Sequence, residues 1–197
     1  MRAQIRRDIG PDYEAIMDAI RELTPEDGII VRDATVPAYL WGNRLLPILR
    51  PRTSIYPASA AIGPGLPLAI GAATGTGRRT VLIQGDGGFM LSVGELATLV
   101  QYDLPVTILL FNDRGYGVLR TIQARTFEGR TIGVDLTTPD FVRLAESFGV
   151  WAERVASPEA FRRAFAQALA RPGPALLEID MSQLRPMAGL GSPPRRA

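Results

Sequence analysis

Short, largely apolar runs recur along the chain near residues 28–33, 80–84, 106–111 and 175–179, with a mixed run near 151–155, and glycine, asparagine, aspartate or serine stands at the end of each or within two residues of it. Runs of this length that do not alternate apolar with polar residues predict strands covered on both faces, the mark of a parallel sheet. Between them, apolar residues return at helical spacing near 64–74, 93–102, 139–148 and 158–170. Strands alternating with helices predict an α/β fold in three layers, α/β/α, around a mainly parallel sheet. A further amphipathic helix is expected over residues 11–23, where Tyr13, Ile16, Met17 and Ile20 share one face.

This pattern divides the chain into a linker with a leading helix (1–24), one domain (25–181) and a Pro/Gly/Arg-rich tail expected to fray (182–197). Two helix starts carry capping signals. Ser92 and Glu95 have the spacing of a capping box, and Thr138 precedes Pro139 at a first helical position. That capping position gives Glu95 a structural reading ahead of a catalytic one.

Composition removes several function classes. The 197 residues contain no cysteine and no histidine, so thiolate metal sites, disulfides, imidazole bases and serine triads are excluded within this chain. A net charge of +2 with dispersed basic residues argues against nucleic-acid binding. No apolar stretch approaches the roughly 20 residues of a membrane span, and the start lacks a signal-peptide core, so a cytoplasmic location is expected. The dinucleotide fingerprint is broken by Leu68 and Met90, and residues 71–78 lack the Lys-Ser/Thr of a P-loop.

Chemistry concentrates in two turns. Val81–Gln84 leads into Gly85-Asp86-Gly87-Gly88, and Val106–Phe111 leads into Asn112-Asp113-Arg114-Gly115. A parallel sheet carries its ligands at the carboxyl ends of its strands, so two acids placed there can converge on one cation. Oxygen ligands favour a hard ion, and Mg²⁺ ordinarily completes its octahedron with phosphate oxygens. Gly87 and Gly88 let backbone N–H groups approach an anion. Each turn taken singly is also ordinary Asp-Gly turn chemistry.

Gly85-Asp86-Gly87, followed 27 positions later by Asp113, resembles the metal and diphosphate signature of thiamine diphosphate enzymes. Phe89–Thr98 and Tyr116-Gly117-Val118-Leu119-Arg120 are similar to the acetolactate synthase and benzoylformate decarboxylase branch, as are Ile62–Gly71 and Pro139–Ala145. The resemblance covers roughly residues 28 to 181. It implies a diphosphate-binding domain of a 2-oxo acid decarboxylase or carboligase, with thiamine diphosphate and Mg²⁺ as cofactors.

By the same resemblance Asp86, Asp113 and the Gly115 carbonyl are metal ligands, and Gly85, Asp86, Gly87, Gly88 and Tyr116 surround the diphosphate. Ile62 matches the apolar wedge over which the cofactor bends, and the Ala60 carbonyl matches an acceptor for the pyrimidine amino group. Core packing is the other reading for Ile62 and Tyr116. The family more often has Asn where Asp113 stands, and Pro37 removes an N–H from the loop Thr35–Ala38 that supplies diphosphate contacts in relatives. Tyr39 and Trp41 read as packing residues, and residues 120–130 as a border of the substrate.

No catalytic residue is expected in this chain. The family's activating glutamate belongs to a separate pyrimidine-binding domain, which no segment here resembles, so a partner chain carrying that domain, or a homo-oligomer, is implied. The chain starts in what resembles the linker before the diphosphate domain, consistent with a separate subunit, a split gene or a truncated product. The competing reading is a non-catalytic scaffold subunit that keeps the fold.

Overall fold

The computed structural model describes residues 1–188. Its sheet contains β1 (Ile29–Arg32), β2 (Ser54–Ile55), β3 (Thr80–Gly85), β4 (Val106–Asn112), β5 (Trp151–Val155) and β6 (Ala175–Asp180), all parallel, in the order β2-β1-β3-β4-β6-β5. The helices are α1 (Arg2–Leu23), α2 (Gly65–Thr76), α3 (Asp86–Met90), α4 (Leu96–Gln101), α5 (Gly117–Thr126), α6 (Phe141–Ser147) and α7 (Pro158–Ala170). No described helix is long and apolar enough to cross a membrane.

Alternate strand residues feed two separate cores, as expected for a sheet covered on both faces. Ile30, Val81, Ile83, Leu109, Phe111, Leu177 and Ile179 pack with Tyr13, Ile16, Met17 and Ile20 of α1 and with Phe161 and Phe165 of α7. On the opposite face Ile29, Val31, Leu82, Ile108, Leu110 and Leu176 pack with Leu66 and Ala69 of α2, Leu99 of α4 and Phe141 of α6. The leading helix α1 thus packs as one wall of the sheet. Trp41 is fully buried edge-on to Phe111, and Tyr39 meets Tyr56, so both are packing residues as expected.

Several local expectations change. The charged stretch before residue 11 is helical, and α1 bends at Gly10 (φ 77, ψ 168) with Pro11 opening its second section. The capping box does not form: Ser92 Oγ donates to the Gly63 carbonyl, while Glu95 accepts from Thr98 Oγ1. Its helix is split into a 3-10 turn, Val93–Glu95, and α4. Helix α6 is capped by the Asp140 carboxylate, which accepts from the N–H groups of Val142 and Arg143, and not by Thr138. The two-residue β2 and the glycine-led α3 and α5 were too short or too irregular for a periodic signal.

The tail expectation changes as well. Leu184 and Met187 are buried, and Ala188 N–H donates to the Asp8 carbonyl at 2.7 Å. Asp12, itself buried, accepts from Arg185 N–H at 2.8 Å and from Arg185 Nε at 3.0 Å. Residues 182–188 are thus moored to α1, and the remainder of the expected tail lies outside the described residues.

The hydrogen bonds from the Arg185 guanidinium hold the Asp12 carboxyl below its ordinary value. A depressed carboxylate pKa contributes stability above its unfolded value, near 3.9, and loses it as pH falls through the folded value. Arg185→Ala is therefore expected to speed hydrogen exchange at residues 185–188 at pH 7. Its unfolding midpoint should lie slightly below wild type at pH 7 and converge with it toward pH 2. An equal gap at both pH values would contradict this mooring.

Candidate functional site

The parallel order reverses direction between β1 and β3, because the chain crosses from β1 to β2 on one side and returns to β3 on the other. Crevices at such switch points, beyond the carboxyl ends of the strands, are where open α/β sheets take ligands. Here the cleft is lined by Ala34, Thr35 and Val36 after β1, Ile62, the glycines 85, 87 and 88 after β3, and residues 113 and 115–119 after β4.

Register brings the acids together. Gly85 pairs with Phe111, so Asp86 and Asp113 leave neighbouring strands at nearly the same height. Asp86 is fully buried; its Oδ2 accepts from Gly115 N–H at 2.9 Å, and its Oδ1 has no hydrogen-bond partner. Asp113 is also buried, with its Oδ2 at 3.4 Å from the Arg120 guanidinium. Burial pushes both carboxyl groups above their ordinary values; Asp113 raises Asp86 further, and Arg120 pulls Asp113 back. Asn112, the other residue of the pair, turns away and donates to the buried Glu178 at 2.8 Å, which Arg154 holds from β5.

These residues fit a hard divalent cation. A buried carboxylate oxygen without a partner is costly unless a cation or donor meets it, and Asp86 Oδ1 is such an atom. Among the described residues no three acidic side chains cluster, so a cation here would find two carboxylates and otherwise backbone or ligand oxygens.

The glycines also interlock the three loops. A β-carbon on Gly87 would stand 2.7 Å from the Tyr116 ring, and one on Gly85 would stand 2.7 Å from Thr35 Oγ1. Tyr116 therefore lies across the Asp86 turn and borders the cleft. Ile62 also lines the cleft, against Gly88. Ala60 does not line it: it is exposed in a turn where Ser59 (φ 56) and Ala60 (φ 53) are both left-handed.

Sequence reasoning missed Asp33 and Arg120. Asp33 is 1% exposed and accepts from Ala34 N–H at 2.7 Å, Gly63 N–H at 2.9 Å and Gln84 Nε2 at 2.8 Å. It ties β1, the Ile62 loop and the end of β3 into one unit, although burial raises its own pKa. The detectable signal was an acid two positions after the apolar run Ile29–Val31, at the end of a predicted strand.

Residues 37–179 match the family described as thiamine pyrophosphate enzyme, C-terminal TPP binding domain. The chain is 36% identical over 159 residues to a Methanocaldococcus jannaschii protein named "Probable acetolactate synthase large subunit", covering 77% of this chain and 27% of that protein. It is 30% identical to Pseudomonas aeruginosa benzoylformate decarboxylase, covering 88% of this chain and 33% of that enzyme. The thiamine diphosphate-dependent 4-hydroxybenzoylformate decarboxylase of Rhodococcus jostii superposes with a TM-score of 0.79 at 33% identity, over 87% of this chain and 33% of that one. The chain spans about a third or less of the length of these relatives.

Asp33→Ala would leave the Gly63 N–H and Gln84 Nε2 groups buried without acceptors, at roughly 1–3 kcal/mol for each. Urea unfolding should show a loss of about 2–4 kcal/mol, with proteolysis first appearing in the 58–64 turn. A variant as stable as wild type would remove Asp33 as the tie between the loops.

Proposed function

The chain belongs to the thiamine pyrophosphate enzymes, as their C-terminal cofactor-binding domain, and on that basis we propose that it binds thiamine diphosphate through Mg²⁺ held by Asp86, Asp113 and the Gly115 carbonyl. The observation that carries the reading is the buried, unpartnered Oδ1 of Asp86 beside Asp113 at the switch point of the sheet. Gly85, Gly87 and Gly88 lie against the diphosphate in this reading, with Tyr116 at its edge and Ile62 as the apolar wedge; the Ala60 carbonyl is assigned to the pyrimidine end. Bound thiamine diphosphate supplies the electron sink for decarboxylation or carboligation of a 2-oxo acid.

The chain's own residues bind and orient. Asp86 and Asp113 fix the cation, Gly115 N–H fixes Asp86 in turn, and Asp33 holds the Ile62 loop against the end of β3. We assign the activating carboxylate to a pyrimidine-binding domain, on a partner chain or a second copy. Two observations support that assignment. Among the described residues Asp113 is the single carboxylate lining the cleft, and in this reading it is taken by the cation. Leu119 lines the cleft with an exposed apolar side chain, and Ile122 on the same helix and Leu91, beside Gly63 of the Ile62 loop, are also exposed, as for a surface that a partner covers. The whole assembly is then a 2-oxo acid decarboxylase or carboligase resembling acetolactate synthase.

Calorimetric titration of thiamine diphosphate into the protein with Mg²⁺ should give a binding signal that chelator or Asp86→Ala abolishes. Asp86→Asn, which removes a buried charge, should lose the cofactor while keeping the cofactor-free fold at least as stable as wild type. Unchanged affinity in these variants would overturn the ligand assignment.

With Mg²⁺, cofactor and a panel of 2-oxo acids, carbon dioxide release is expected only when a glutamate-bearing pyrimidine domain is added. Robust release by this chain alone would refute the need for a partner. Cofactor binding without release in any combination would favour the scaffold reading.

A further inference from the structure

We propose that Arg120 is the charge-balancing residue of the cation site: its guanidinium offsets the second carboxylate, Asp113, so that a site built from two acids still attracts a diphosphate. The inference rests on the metal and cofactor reading given above. Two carboxylates cancel the charge of a divalent cation, and a neutral cluster has no net pull on a polyanion. One further buried positive charge restores that pull.

The geometry assigns this charge to Arg120. It stands in the first turn of α5, with Nη1 at 3.4 Å from Asp113 Oδ2 and Nη2 at 3.4 and 3.1 Å from the carbonyls of Asp113 and Arg114. Its Nε donates to Asp135 at 2.8 Å. The Arg120 and Asp113 side chains are only 21% and 11% exposed, so solvent screens their interaction weakly, whereas Asp135 is 63% exposed and its charge is largely answered by water. The other ionisable groups facing Asp113 are Asp86 and the buried Tyr13 phenol, whose proton burial holds in place. Arg114 is directed to Asp180, at 3.9 Å. Arg120 is thus the cation paired with the acid pair.

A residue that merely holds the turn would, when replaced, weaken metal and cofactor binding together. A charge-balancing residue would move them in opposite directions, because the lost positive charge favours the metal and disfavours the diphosphate. The test uses the full chain, with Mn²⁺ alone followed by electron paramagnetic resonance and thiamine diphosphate at saturating Mg²⁺ followed by calorimetry. Arg120→Gln should bind Mn²⁺ as tightly as wild type or more tightly. It should bind thiamine diphosphate about tenfold more weakly, the order expected for one charge roughly 10 Å away at an effective dielectric near 20.

Arg120→Lys should stay close to wild type, and Asp113→Asn combined with Arg120→Gln, which restores the net charge, should recover most of the lost cofactor affinity. Parallel weakening of both ligands, or no recovery in the double variant, would overturn the proposal. If Asp86→Ala binds thiamine diphosphate as tightly as wild type, the site reading fails first, and the charge-balancing role falls with it.

Discussion

Two carboxyl groups buried within one crevice are the constraint around which this fold is arranged. Taking either acid out of water is unfavourable, and their mutual repulsion adds to that cost. Both are displaced toward the protonated form by burial, and the backbone N–H groups of Gly115 and Gly87 ease Asp86 while Arg120 eases Asp113. Such a pair persists in a stable protein only where the surrounding packing over-determines its position and a ligand of opposite charge rewards it. On the proposed reading, the crevice is a place where stability is given up for binding.

The packing that holds the pair is specific and redundant. Parallel pairing of β3 and β4 over six residues fixes the height at which the two turns leave the sheet. Asp33 then binds the Ile62 loop and the β3 end together, while Tyr116 and Thr35 occupy the space that side chains on Gly87 and Gly85 would need. The strap formed by Val134–Leu136 runs beside the β4 turn, with Tyr116 N–H donating to Val134 and Leu136 N–H to Arg114. Beyond the strand pairing and the Asp33–Gln84 bond, these contacts are close approaches to backbone, made possible at Gly85 and Gly87 by missing β-carbons.

Behind the crevice, a second polar layer orients the β4 turn. Glu178, buried in β6, receives Asn112 from β4 and Arg154 from β5, and Arg154 continues to the cap residue Asp140. Because Asn112 is committed to that layer, Asp113 is the residue of the pair that faces the cleft. The proposed cation site and the polar layer that orients the β4 turn thus meet in two adjacent residues.

Much of this was legible in the chain itself. Strands β1, β3, β4 and β6 are buried almost throughout and write a continuous apolar signal, whereas β5 is mixed in sequence and only partly buried, and the two acid-bearing turns are marked by their glycines. The pairing of Asp86 with Asp113 across 27 positions was readable for the same reason: both sit at strand ends. What stayed hidden depends on contacts between segments distant in sequence. Ser92 and Glu95 have the spacing of a cap, yet Ser92 is taken by Gly63, 29 residues away. Arg185 looks like tail until it meets Asp12, 173 residues earlier. Asp33 and Arg120 acquire their roles only when three strand ends converge. Periodicity records which face of an element is buried, whereas the partner of a buried charge is chosen by the tertiary arrangement, and no local pattern encodes it.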